Sequence, residues 1–273
     1  MGKASLAPKR MDFEAKLLMT TTRINSPWIT FFKPNPQAKL RLFCFPYAGS
    51  GANIYRNWPD KLPADIEVCP IQLPGRGSRL KEPPFTHMIP LVEALAAALY
   101  PFLNKSFAFF GHSMGAMISY ELACLLRRRH VIEPAHLFVS GRRAPQLPDS
   151  TRTYDLPEGE FIQKLREIKG TPQEVLDHQE LMRLMLPLLR ADFEVCQTYV
   201  YKQELPLSCG ITAFGGAEDE EETRGVLEEW RARTSGSFTI WMLPGDHFFL
   251  HTSEELLLQM LTRELHTIVQ KLA

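Results

Sequence analysis

The sequence predicts an α/β fold with a mostly parallel sheet and helices on both faces. Two observations predict it. Short apolar runs alternate along the chain with longer stretches of helical period, the signature of strand–helix–strand units. Some runs are apolar at every position, as in Phe107-Ala108-Phe109-Phe110, and these suit strands buried between two helical layers.

Taken in order, residues 1–37 form a polar lead-in arm punctuated by Pro8, Pro27, Pro34 and Pro36, to which no order is assigned. Leu40 to Phe45 reads as the first strand, stopped by Pro46. Ile66 to Ile71, Phe107 to Phe110, His136 to Ser140, Ile211 to Phe214 and Phe238 to Leu243 follow as further strands. Met88 to Leu103, Ala116 to Arg129 and Glu220 to Arg233 read as helices between them. In the last helix Thr252 and Glu255 fit a capping box, and Leu257, Leu261, Leu265, Ile268 and Leu272 form one apolar stripe.

One segment breaks the alternation. Residues 157–202 show helical pattern without a strand and divide the core into 38–156 and 203–273. Leu181 to Leu189 carries more apolar surface than one helix face needs. The segment reads either as an extra helical layer on the sheet or as a lid over an apolar pocket. In the second case Met182, Met185 and Leu189 are candidate substrate contacts, since methionine-rich surfaces adapt to flexible apolar ligands.

Composition narrows the function. The 273 residues include 31 basic and 31 acidic side chains, and a neutral chain argues against nucleic-acid binding, whose footprint is basic. The five cysteines form no C-x-x-C pair and most sit in apolar surroundings, so they read as small buried hydrophobes in a reducing compartment. The N-terminus lacks the apolar core of a signal peptide, Leu6 occupies the Ser/Thr place of a myristoylation site, and no apolar stretch is long enough to span a membrane. A cytoplasmic monomer without a metal site is the expectation.

The chemistry is carried by Gly111-His112-Ser113-Met114-Gly115, a G-x-S-x-G between an apolar strand and a helix. A strand turning sharply into a helix crowds the backbone around its central residue, and glycines two places to either side relieve the crowding. The hydroxyl of Ser113 then stands exposed as a nucleophile. The Met114 N–H, at a helix N-terminus, supplies half of an oxyanion hole. A serine hydroxyl needs a base. Of eight histidines His247 fits best, because it follows the last strand and completes the chain order serine, acid, histidine. The acid belongs after the preceding strand, where Gly215-Gly216-Ala217-Glu218-Asp219 bends back toward the site. Asp219 is the choice, Glu218 the main rival and Asp246 third. Glu220 to Glu222 read as loop and first helical turn, and His112 as a packing residue or a hydrogen-bonding support. The second oxyanion donor belongs in Tyr47-Ala48-Gly49-Ser50-Gly51, with Ala48 preferred and Gly49 the alternative.

Beyond the elbow, several stretches resemble the type II thioesterases, stand-alone α/β-hydrolases that serve fatty acid, polyketide and nonribosomal peptide synthases. They are Phe45-Pro46-Tyr47-Ala48-Gly49-Ser50-Gly51, Leu73-Pro74-Gly75-Arg76-Gly77-Ser78-Arg79-Leu80, Ser140-Gly141-Arg142-Arg143-Ala144-Pro145, Gly170-Thr171-Pro172, Leu186-Pro187-Leu188-Leu189-Arg190-Ala191-Asp192-Phe193 and Gly245-Asp246-His247-Phe248-Phe249-Leu250. The resemblance covers about residues 40 to 255. It implies Ser113, Asp219 and His247 as a triad, Met114 and Ala48 as oxyanion amides, and a helical lid across 157–202. Some related synthase-borne domains place the acid after an earlier strand, where this chain has Gly141-Arg142-Arg143 and no carboxylate. The implied substrate is an acyl thioester on the phosphopantetheine arm of an acyl or peptidyl carrier protein, with no other cofactor. Hydrolysis of oxygen esters, acyl transfer and a non-catalytic binding role are the competing readings. Arg76, Arg79 and Arg127 to Arg129 are candidate basic patches for an acidic carrier, the last also reading as a dipole-matched helix end.

Overall fold

A computed structural model describes residues 26–30, 32–149, 152–170 and 173–272. Six strands form one sheet in the order β2-β1-β3-β4-β5-β6, every neighbouring pair parallel. They are β1 (Leu40–Phe45), β2 (Ile66–Pro70), β3 (Phe107–His112), β4 (His136–Ser140), β5 (Gly210–Gly216) and β6 (Phe238–Leu243). Each lies where the apolar runs predict it. The helices are α1 (Trp58–Lys61), α2 (Met88–Leu99), α3 (Met114–His130), α4 (Glu158–Ile168), α5 (Gln173–Leu176), α6 (Gln179–Gln197), α7 (Arg224–Glu228), α8 (Phe249–Thr252) and α9 (Glu254–Leu272).

Strand alternation builds two cores from one sheet. Phe43, Phe45, Phe107 and Phe109 point to the face covered by α2 and α3, and their rings meet edge to face. Leu40, Leu42, Cys44, Phe110, Phe138 and Phe214 point to the other face, which α9 covers with Leu257, Leu261 and Leu265. The inserted helices α4 to α6 have a third, internal core around Phe161, Leu165, Leu176, Met182, Leu186 and Leu189. At the β2 edge the end of the arm docks: Ile29 bridges Ile71, and the Gln72 N–H donates to the Trp28 carbonyl at 2.8 Å. Residues 1–25 of the arm, with Thr171 and Pro172, lie outside the described residues.

Three expectations need correction. The last helix begins at Glu254, not at a Thr252 cap: Thr252 closes the preceding turn α8, which buries Phe249 and Leu250, and the chain breaks at Ser253, whose hydroxyl donates to the Pro244 carbonyl. The stripe ends at Ile268, because Leu272 is 44% exposed. The helix expected from Glu220 is α7 from Arg224 followed by a 3-10 turn, so Glu220 to Glu222 are loop.

His136, at the start of β4, is buried with its Nε2 hydrogen-bonded to Thr212 Oγ1. Burial first, and then the nearby Lys271 charge, lower its pKa to about 4. Between about pH 6.5 and 4 the unfolded chain therefore binds a proton that the folded chain refuses, so stability rises with pH across that window. The contribution is on the order of 3 kcal/mol. Denaturant midpoints measured from pH 7 to 4 should fall, and His136→Gln should flatten the slope.

Candidate active site

Because all six strands are parallel, their carboxyl ends share one side of the sheet, and the site is assembled there. Ser113 follows β3 directly and opens α3. Its backbone has φ 53° and ψ −115°, a conformation a side-chain-bearing residue seldom adopts, at a cost of about 1–3 kcal/mol. The close approaches explain the flanking glycines. A Cβ on Gly111 would lie 2.1 Å from the Gly115 carbonyl oxygen, and one on Gly115 would lie 2.1 Å from the Phe45 carbonyl oxygen. The Ser113 N–H donates to the Ser140 carbonyl at 2.8 Å, which ties the elbow to β4. Ser113 is partly exposed, and Met114, as the first residue of α3, has no intrahelical acceptor for its N–H.

His247 lies in the turn between β6 and α8, and Asp219 in the loop after β5. They meet at 2.8 Å, His247 Nδ1 to Asp219 Oδ2. The other carboxylate oxygen, Oδ1, accepts the N–H groups of Glu221 and Glu222, each at 3.0 Å. Burial works to raise the Asp219 pKa. The hydrogen bonds from His247 and the two amides outweigh it, holding the carboxyl below its ordinary value. An ionised carboxylate can only accept, so the imidazole proton sits on Nδ1 and Nε2 is left as the basic nitrogen.

The rival carboxylates are elsewhere. Asp246 Oδ1 accepts the Phe248 N–H at 2.9 Å, and Glu218 is exposed. Glu222, expected to be solvated, is buried and takes Arg143 Nε at 2.9 Å. Arg143 thus braces the loop that holds Asp219. His112 is fully buried, its Nδ1 hydrogen-bonded to Ser140 Oγ at 2.9 Å and its ring 5.3 Å from that of His247. Burial, then the neighbouring His247 charge, keep His112 well below its ordinary pKa. It stays neutral, so it does not oppose a positive charge developing on His247.

The loop expected to supply the second oxyanion donor is a turn closed by the Ser50 N–H on the Tyr47 carbonyl at 3.1 Å, with Gly49 at φ 79°. Gly49 spends its N–H on Asp192 Oδ2 at 2.7 Å. Ala48 has no such side-chain partner among the described residues and is partly exposed. Asp192 comes from α6 and also holds Arg76 through both carboxylate oxygens. Sequence reasoning missed this cluster, although both residues stand inside motifs of the family resemblance. Arg76 and Arg79 are buried, Arg79 pairs with Glu82, Arg127 with Glu133 and Glu204, Arg128 with Glu204 and Arg129 with Glu93. The expected basic patches are therefore neutralised within the chain.

Leu189 closes over the oxyanion loop: a Cβ on Gly49 would lie 2.5 Å from its Cδ2. Met182 is buried in the internal core of the lid and Met185 packs against that core. A cavity of about 300 Å³ is lined by Met117, Arg142, Gln146, Cys196, Tyr199 and Tyr201 among others, and Ser113, Asp219 and His247 are not among its lining residues. None of the three expected lid contacts borders it.

Comparison with known proteins fits this geometry. The profile of the Thioesterase domain matches residues 40–267. The gramicidin S biosynthesis protein GrsT of Aneurinibacillus migulanus is 48% identical over 243 residues, 89% of this chain and 95% of its own. The chain belongs to the thioesterase family. The structure of RedJ, a thioesterase of the prodiginine pathway in Streptomyces coelicolor, superposes with a TM-score of 0.79 at 43% identity, over 85% of this chain and 87% of RedJ. That of BorB, the type II thioesterase of the borrelidin cluster, gives 0.78 at 32% identity, over 86% and 96%. This thioesterase is accordingly a type II enzyme, a thioester hydrolase with the α/β-hydrolase fold.

The three carboxylates can be separated by mutation. Asp219→Asn should lower kcat roughly 10²–10⁴-fold with KM little changed, because the bond to the imidazole matters most when the ring is charged. Glu218→Gln and Asp246→Asn should stay near the wild-type rate. Steady-state kinetics on folded variants check this.

Proposed function

We propose that the enzyme hydrolyses acyl thioesters carried on the phosphopantetheine arm of an acyl or peptidyl carrier protein, with Ser113, His247 and Asp219 as the catalytic triad. The observation that carries the reading is the 2.8 Å pair of His247 and Asp219 at the same end of the sheet as the Ser113 elbow, in a chain of the thioesterase family. Membership of that family, with relatives in peptide and polyketide pathways, favours a carrier-bound substrate over a free oxygen ester.

His247 Nε2 takes the Ser113 proton as Oγ attacks the thioester carbonyl. The tetrahedral oxyanion rests on the N–H groups of Met114 and Ala48, and the engagement of the Gly49 N–H by Asp192 supports Ala48 as the second donor. The C–S bond breaks, and the sulfur leaves as a thiol with the proton from His247. A thiol of pKa about 8.5 is a far better leaving group than an alcohol. Water then attacks the acyl-serine, giving its proton to His247, and the ester bond breaks to free the acid and restore Ser113. Asp219 holds the productive tautomer and stabilises the imidazolium. This chemistry calls for no metal or resident cofactor beyond the arm of the substrate.

Thioesters of a carrier protein, from acetyl to long-chain, should be cleaved to free carrier thiol in an intact-mass assay, faster than matched oxygen esters. Ser113→Ala should fold and form no acyl-enzyme adduct. Preference for the oxygen ester would shift the reading to a carboxylesterase or lipase. Met185→Trp reports on the lid: slower turnover of long chains with acetyl spared would place this residue along the acyl path, and an equal effect on every length would make it scaffold.

A further inference from the structure

We infer that Asp192 and Arg76 form a positioning device for the oxyanion hole, through which the lid helix α6 sets the loop carrying the Ala48 amide. This rests on the serine mechanism proposed above. The argument starts from burial. Arg76 is 5% exposed and Asp192 2%, and a buried ion pair is a poor source of stability compared with apolar packing. Its geometry shows what it achieves instead. The guanidinium holds the carboxylate as a fork, Nη1 to Oδ2 and Nη2 to Oδ1, both 2.7 Å. Oδ2 also accepts the Gly49 N–H at 2.7 Å. Arg76 Nη1 reaches the Ser50 carbonyl at 3.0 Å, and Nε the Pro74 carbonyl at 3.2 Å.

Two peptide groups that follow Ala48 in the turn are thereby fixed, and the 47–48 peptide that carries the Ala48 N–H is tied to them because its carbonyl accepts the Ser50 N–H at 3.1 Å and the Ser50 hydroxyl at 2.8 Å. Gly49 is held through its N–H by Asp192, and the following turn residue, Ser50, through its carbonyl by Arg76. Gln72 adds a brace from below, accepting the Ala52 N–H at 3.1 Å and donating to the Arg76 carbonyl at 2.9 Å. An oxyanion donor works only if it is aimed before the charge develops, so rotation of the 47–48 peptide, which carries the Ala48 N–H, would weaken it. A carboxylate contributed by the lid means that the aim of the hole depends on the lid being seated. Asp192 touches no reacting atom. It acts through the turn.

The test compares wild type with Asp192→Asn, which keeps the shape and removes the charge. Because Arg76 left unpaired threatens the fold, the double variant Arg76→Met with Asp192→Leu, which removes both charges together, is measured beside it. Each is assayed on a carrier-bound acyl thioester and on a p-nitrophenyl acyl ester, with the folded fraction determined by thermal denaturation. The oxyanion amides serve both esters, so the inference remains testable on the oxygen ester even if the carrier reading fails. Full activity of Ser113→Ala would instead sink the serine mechanism on which both depend.

The expected result is a roughly 10–100-fold loss of kcat on both substrates per folded enzyme, KM within about twofold, and a matching loss of affinity for an acyl trifluoromethyl ketone, whose hemiketal oxyanion occupies the hole. A kcat within about twofold of wild type in either folded variant would overturn the inference. So would a raised KM at unchanged kcat, since that would make the pair a tie for substrate access alone.

Discussion

The site depends on one crowded turn. At the end of β3 the chain must reverse into α3 with its backbone against Phe45 and Gly115, and there is room for this only because Gly111 and Gly115 lack Cβ atoms. The strain falls on Ser113, held at φ 53° by a helix on one side and the Ser140 carbonyl on the other. The two cores offset that strain: Phe109 and Phe110, the last apolar residues before the turn, are completely buried on opposite faces of the sheet. A turn anchored so firmly at both ends presents its side chain without needing a ligand to order it.

The parallel sheet then does with topology what sequence proximity cannot. Asp219 and His247 are 28 residues apart and belong to loops after adjacent strands, so the β5–β6 register alone brings those loops together. Electrostatics refine the meeting. Against its burial, Asp219 is kept ionised by the hydrogen bond from His247 and by amides of its own loop, and that loop is pinned by Arg143 through the buried Glu222. His112, the last residue of β3 before Ser113, is kept neutral by burial.

What was legible in the sequence was whatever local chemistry determines. The strands showed as runs such as Phe107 to Phe110 because both faces of the sheet are covered, and the elbow showed because a strained turn needs its glycines within five residues. The boundary at Thr252 was misread for a tertiary reason: Phe249 and Leu250 turn inward, and the helix cannot begin until the chain has passed them. The arginines were misread for the same kind of reason. Arg76 and Asp192 are 116 residues apart, and nothing in either neighbourhood says that one neutralises the other. Met182 looked like substrate surface because an apolar stripe has the same pattern whether it meets a ligand or, as here, Phe161 and Leu165.

That last ambiguity bears on what the inserted segment is for. A lid that only covered a pocket would need apolar contacts with the core and no buried charge. This one has its own apolar core, which lets α4 to α6 hold together as a unit, and it reaches the catalytic floor with Leu189 against Gly49 and Asp192 against the same turn. The two contacts differ in kind. Leu189 excludes water and tolerates sliding, whereas a forked ion pair with 2.7 Å bonds is satisfied in one register only. Burial makes that register decisive, because a shifted lid would strand Arg76 and Asp192 away from both water and each other. The inserted segment is therefore a self-cored unit, and the Arg76–Asp192 pair gives its contact with the Gly49 turn a single favourable position.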